Sequence, residues 1–307
     1  MQRRCQKGVI ALAVLVVVAG CATGPPSLVR YPEMELPDGY SAYFSADVSG
    51  NRELFGELLE ALEVRSDAIV NRTERLTGGF DLAPSGSSEM AAIAYGSFPR
   101  GLTQFSLRRN RAFDEASTAD SDLSVFVQVV EAPDQFPLHV LVPQDDVVYL
   151  AAGLEAEQTM VRLDTGPASG RQELRRSTYS RLIDVGGADG PIATVVFEDP
   201  GSGLLRTLGV NAPGVPITEI SLSLYHSGDE LMLHGELGTR TAGEAALFSR
   251  LSRFFVLLFV RSLGLDAERA QDEVEISVEG AIVRFSNIPL SSEELSAVVL
   301  RFGGGAE

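Results

Sequence analysis

IATVVFEDPGSGLLRTLG, residues 192–209, governs how the rest of the chain is read. Residues 193–197 are β-branched or aromatic apart from Ala193, which suits a strand. Pro200-Gly201-Ser202-Gly203 breaks it, and Leu204, Leu205 and Leu208 follow at helical spacing. The same order stands earlier in YSAYFSADVSGNRELFG, residues 40–56. A second pair of segments matches in the same way. LHVLVPQDDVVYLAAGLEAEQ, 138–158, and VEISVEGAIVRFSNIPLSSEEL, 274–295, each read as hairpin, break and helix start. Both pairs occur in the same order along the chain, which points to an internal repeat. The expected fold class is therefore α+β. It has two tandem modules of mostly antiparallel sheet with packed helices, after a flexible N-terminal tether. The modules are placed at 39–163 and 191–302. A linker, 164–190, is rich in Gly and Pro at both ends, and residues 303–307 form a disordered tail.

The local elements support the α+β class. SAYFSADV, 41–48, reads as a strand. In NRELFGELLEALEV, 51–64, Leu54, Phe55, Leu58, Leu59 and Leu62 share one side of a helix, and Glu53, Glu57 and Glu60 take the other. SDAIVNRTERLT, 66–77, reads as a second helical piece stopped by Gly78 and Gly79. EMAAIAYGS, 89–97, is a strand, and a short helix with Pro99 in its first turn follows. Residues 111–122 read as a polar loop, 123–130 as a strand and 138–152 as a hairpin. ITEISLSLYHSGDELMLHGEL, 217–237, is a further hairpin. The longest helix then starts at a capping box, Thr241 with Glu244, and stops at Gly264.

The amino-terminal end carries a different signal. Arg3, Arg4 and Lys7 precede the apolar run GVIALAVLVVV, 8–18. Eleven residues are too few to cross ~30 Å of hydrocarbon as a helix, and they match the core of a secretory signal. Val18-Ala19-Gly20-Cys21 ends the run and resembles the lipobox of bacterial lipoproteins. The resemblance implies a signal peptide over 1–20 and diacylglycerol on the Cys21 thiol. The mature chain would then begin at Cys21, and residues 21–38, with four prolines, would be a lipidated tether. Two or more acyl chains anchor a protein stably, since each buried CH₂ contributes ~0.8 kcal/mol. Ala22, where inner-membrane retention uses Asp, implies the outer membrane, with the periplasmic face favoured. The remainder resembles uncharacterised bacterial envelope lipoproteins with duplicated strand–helix–strand modules, which implies no activity.

Composition excludes several classes of function. Loss of residues 1–20 removes Arg3, Arg4 and Lys7 and no acid, so the net charge moves from −17 to −20. Such a surface repels phosphate backbones, so no nucleic acid partner is expected. Cys5 would be discarded and Cys21 lipidated, which leaves no disulfide or thiol nucleophile. Lys7 is the sole lysine, so the mature chain could form no Schiff base and has no Walker lysine. No GxSxG, HExxH or P-loop occurs, and in the GSG at 201–203 Arg206 replaces the third glycine of a dinucleotide loop. No cofactor and no metal site is expected. Asp114, Glu115, Asp120 and Asp122 lack calcium-loop spacing. A turn pairing Ser227 with Glu230 sets His226 and His234 on opposite sides of their sheet, a loop one residue longer sets them on one face but more than ~10 Å apart, and His139 lies in the other half, so neither register makes a metal pair. The chain is therefore read as no enzyme.

Two features remain as candidate sites. Arginines cluster at 100–111 and at 171–181 on an otherwise acidic chain. They either pair with carboxylates or dock an anionic partner, and Arg108, Arg109, Arg111, Arg175 and Arg176 are the docking candidates. Helix 242–263 carries FFVLLFV at 254–260 and is apolar over most of its circumference. It is a core helix, a surface in contact with the membrane, or a wall of a protein interface or of a groove for a lipid or other apolar small molecule, with Phe248, Phe255 and Phe259 as the candidate ligand or interface residues. The groove requires a cavity of several hundred Å³ walled by Phe248, Phe255 and Phe259. Two roles follow: an envelope interaction or assembly component holding a protein partner, or a carrier or sensor of an apolar ligand.

Overall fold

The structure is a computed structural model that describes residues 40–61, 71–81, 89–117, 124–129, 137–153, 156, 176–186, 190–198, 200, 217–228, 230–263 and 267–303. Cys21 and the segments expected as signal peptide, 1–20, and tether, 21–38, lie outside these residues. The strands are β1 (Ala42–Asp47), β2 (Thr73–Phe80), β3 (Met90–Gly96), β4 (Phe113–Ser117), β5 (Ser124–Gln128), β6 (Leu138–Gln144), β7 (Val147–Ala152), β8 (Ala193–Phe197), β9 (Ile217–Ser227), β10 (Glu230–Thr239), β11 (Glu275–Glu279) and β12 (Ile282–Leu290). The helices among the described residues are α1 (Arg52–Ala61), α2 (Arg100–Arg109), α3 (Arg176–Ile183), α4 (Ala242–Leu263), α5 (Ala267–Glu273) and α6 (Ser292–Gly303).

The strands form a single antiparallel sheet in the order β11-β12-β10-β9-β8-β1-β2-β3-β7-β6-β5-β4. This corrects the expectation of two tandem α+β modules. The joint is β1 against β8, paired from Ala42↔Phe197 to Ala46↔Ala193 across the expected boundary. Each of these strands would otherwise be an edge with a row of unpaired N–H and C=O groups, and pairing them satisfies both rows. The matching segments do occupy corresponding places in the one sheet. Outward from the joint, one side runs β2, β3, β7, β6 and the other β9, β10, β12, β11. β5 and β4 extend the first side alone.

Two local expectations are also overturned. Thr73–Phe80, within and just beyond the segment read as helical, is strand β2. The helix-favouring residues Glu74, Arg75 and Leu76 yield to pairing on both sides, with β1 and with β3. Gly78 permits the close approach of β3, since a Cβ there would lie 2.4 Å from the Ala91 carbonyl oxygen. Residues 113–117, expected as loop, form edge strand β4, held by pairing with β5 from Phe113↔Gln128 to Ser117↔Ser124 and by burial of Phe113. The capping box is present as read. Thr241 N–H donates to Glu244 Oε2 at 3.0 Å, and Glu244 N–H donates to Thr241 Oγ1 at 3.2 Å.

One face of the sheet is apolar from end to end and is covered by α1, α2, α4 and α6. Leu224, Leu237, Val283, Phe285 and Ile288 meet Phe248, Val256 and Val260 of α4. On the other half, Phe126, Val140 and Leu150 meet Leu107 of α2. Phe44, Phe80 and Phe197 join the two halves across the β1/β8 seam, with ring centroids 6.2 and 6.1 Å apart. The opposite face changes character along the sheet. It is apolar over β3, β7 and β6, and at the seam α3 covers it by setting Leu182 against Tyr43 and Val196. Over β9 to β12 it is polar.

Candidate functional site

The polar stretch of this second face begins with the alternation of β9 and β10. Ile220, Leu222 and Leu224 point into the α4 core, so Glu219, Ser221, Ser223 and Tyr225 point away from it. β10 places His234 beside Ser223 and Glu236 beside Ser221, and β12 places Arg284 beside Glu236. α3 runs along one flank. It is fixed there by Arg75, whose Nη2 donates to the Leu182 carbonyl in its last turn at 2.7 Å, and by Thr178 Oγ1 donating to Glu198 at 2.8 Å. Together these elements enclose a cleft of about 480 Å³, lined by α3, β8, β9, β10, β11 and β12.

A chain of ion pairs crosses the cleft. Arg181 of α3 pairs with Glu219 and, at 2.6 Å, with Glu236. Glu236 also accepts from Arg284 at 2.6 Å, and Arg284 pairs with Glu279. The hydrogen bond it donates to Glu236 is the main reason the Arg284 guanidinium binds its proton more tightly than usual. Each arginine thus bridges two carboxylates and is geometrically fixed. Thr194 and Ser223 hydroxyls lie 2.9 Å apart. The Tyr225 and His234 rings stack with centroids 4.6 Å apart at 34°. Burial pushes the Tyr225 phenol up and the His234 imidazole down from their ordinary values, so both are neutral at pH 7.

The sequence candidates fall elsewhere. Arg108 of α2 donates from Nε and Nη2 to the two Glu115 carboxylate oxygens at 2.8 Å each. That fork lowers Glu115 to about 2, chiefly through the Arg108 hydrogen bonds and then through one from Ser124. Arg108 is therefore committed to a carboxylate. Arg109 lies 4.8 Å over the Phe105 ring, and Arg111 is exposed just beyond the helix. Phe105 is 51% exposed and Leu102 47% exposed beside them. Arg175 lies outside the described residues, and Arg176 opens α3. Phe248 is buried in the α4 core. Phe255 and Phe259 lie on α4, with side chains outside the description. The cleft is on the face of the sheet opposite α4, so it is not the apolar cavity that helix 242–263 would wall.

Reading the sequence missed the cleft residues Ser221, Ser223, Tyr225, Glu236 and Arg284. The available signal was the alternation in ITEISLSLYHS, whose polar positions mark a second, wet face. No group of three or more metal-type ligands occurs among the described residues. No helix among them is long and apolar enough to cross a membrane.

No family model matches the chain, and no curated protein matches it. Solved structures do. Crystal form I of TP0453 superposes with a TM-score of 0.57 at 18% identity, covering 86% of this chain and 94% of that one. Form IV gives 0.58 at 19% identity, covering 85% and 93%, and form III gives 0.56 at 18%, covering 85% and 94%. The chain is similar to TP0453 over nearly the full length of both, and what they share is the fold.

Proposed function

We propose that this protein is a bacterial envelope lipoprotein, held in the outer membrane by acyl chains on Cys21, which acts by docking a protein partner rather than by catalysis. The observation that carries the docking role is the outer surface of α2. Leu102 and Phe105 are about half exposed there, and Arg109 lies over the Phe105 ring. An apolar pair beside a cation is the usual make-up of an interface centre, and the local positive charge of Arg109 and the nearby Arg111 favours an acidic segment of the partner. The anchor rests on Val18-Ala19-Gly20-Cys21 and the short apolar run before it. The non-catalytic role rests on the missing lysine and cysteine chemistry of the chain after Cys21. Duplication of an ancestral half is the simplest origin for the matching strand order on either side of the seam.

Crosslinking in intact envelopes tests the docking role. The double variant Phe105→Glu/Arg109→Glu should stay in the membrane fraction but lose a stoichiometric crosslinked partner. An unchanged crosslink pattern would refute docking through α2. The anchor is tested separately with Cys21→Ala, which should leave a longer precursor that takes up no labelled palmitate. Persistent labelling would remove the lipoprotein reading.

A further inference from the structure

We infer that the cleft between α3 and strands β8 to β12 is a binding site for an uncharged, polyhydroxylated ligand, a neutral saccharide of two or three rings. The argument begins with charge. Arg181 and Arg284 are the cations of the cleft, and both are held by Glu219, Glu236 and Glu279. Three carboxylates against two guanidiniums leave no surplus positive charge for an anion. A cation would meet Glu236, which already faces both arginines, and one further lining carboxylate, Asp184, so a preference for a cation is the outcome that would reassign the site. An apolar ligand would strip water from these ions without replacing their hydrogen bonds.

The remaining chemistry suits hydroxyl groups. Thr194, Ser223 and His234 stand in one row across three neighbouring strands, paired Thr194↔Ser223 and Ser223↔His234. Ser221, Glu236, Arg284 and Ser277 stand in the next row, across four. Neighbours in a row are ~4.8 Å apart and the rows are ~6.6 Å apart, which is the scale of a sugar ring and its substituents. Hydroxyls and a neutral imidazole both donate and accept, as sugar hydroxyls do. Carboxylate and guanidinium edges present two parallel acceptors or donors, which match adjacent hydroxyls on a ring. The half-buried Tyr225–His234 stack provides a flat wall for the C–H face of a sugar. A volume of about 480 Å³ holds a ligand of that size.

The test is titration calorimetry of the full-length protein, in a detergent without a sugar headgroup, against maltotriose, cellotriose and chitotriose. Spermidine and glucose 6-phosphate serve as charged controls. At least one neutral saccharide should bind saturably with a Kd of roughly 10 µM to 1 mM. Tyr225→Ala and Ser223→Ala should each weaken it about tenfold, with melting curves within a few degrees of the parent, while Arg109→Ala on the opposite face changes nothing. If neither variant folds, the ring and hydroxyl contacts are read by saturation-transfer difference NMR on the parent, with displacement of Tyr225 and His234 side-chain resonances as the readout. No saturable binding by any of the three neutral saccharides overturns the assignment. So does preference for either charged control, or binding that both variants retain in full. The outcome is independent of the α2 docking and lipid-anchor proposals.

Discussion

Gly235 offers the sharpest check on the packing of the α4 core. It is buried in β10 opposite Phe285 of β12, and a Cβ built on it would lie 1.9 Å from Phe285 Cζ and 2.1 Å from Cε2. Carbon atoms in contact sit at ~3.5–4.0 Å, so the ring would have to retreat by more than an ångström. Phe285 is 4% exposed and packed in the core shared with Leu224, Val256 and Val260, which leaves little room to retreat. The bulge between Leu233 and Gly235, where Asn287 takes a φ of 62°, sets the ring over the glycine. Gly235→Ala should therefore cost ~1–3 kcal/mol through overpacking, reduced by the ~0.5–1 kcal/mol that Ala gains over Gly in a strand. The net is ~1–2 kcal/mol, or a melting point lower by ~2–8 °C. The decisive assay is a double-mutant cycle by urea unfolding. In a Phe285→Leu background, Gly235→Ala should become neutral or mildly stabilising, which gives a coupling of ~2 kcal/mol. Costs that add within ~0.5 kcal/mol would show that the ring does not lie over Gly235, and the account of this packing would be wrong.

Two titrations follow from the same structure. Carboxyl NMR should find Glu115 titrating near 2, and Arg108→Ala should return it toward 4.5. Because the folded value is depressed, the pair's stabilisation is present above the unfolded value and is lost as pH falls toward 2, fraying β4 from α2 first. A Glu115 midpoint that ignores Arg108→Ala would refute the fork. His234 should titrate below the ordinary ~6.5, since burial disfavours its charged form. Its contribution is present above the unfolded value and is lost as pH falls through the folded one. Tyr225→Ala opens the stack and should move the His234 midpoint upward, and an unmoved midpoint would show that the stack does not bury it.

Much of the fold was legible because it is local. The strand-turn-strand pattern at 217–239, with Ser227 opposite Glu230, follows from period-2 alternation and a short glycine turn. The helix of α4 follows from its apolar run and capping box. What alternation could not reveal was the partner of each outer strand. β1 and β8 are each read correctly as strands, yet nothing in either specifies that they pair. That pairing turns two modules into one sheet. β2 was misread for a related reason: its helix-favouring residues reflect local preference, and its two strand neighbours override it.

The cleft was harder to see because no segment contains it. Ser221, Ser223 and Tyr225 identify a wet face on β9, and an isolated wet face on a hairpin needs no function. It becomes a site through two contacts distant in sequence. One is Arg284, which reaches Glu236 because β12 lies between β11, the strand before it, and the distant β10. The other is Arg181, which reaches the same carboxylate because Arg75 and Thr178 fix α3 along the seam. In the sequence, Arg181 belonged to a cluster of arginines and so suggested an anion site. In the fold its charge is spent on Glu219 and Glu236, and the same holds for Arg108 on Glu115. On an acidic chain the arginines that look most available in sequence are thus the first to be neutralised. In the proposed saccharide site, recognition would rest on the uncharged groups that Arg181 and Arg284 flank.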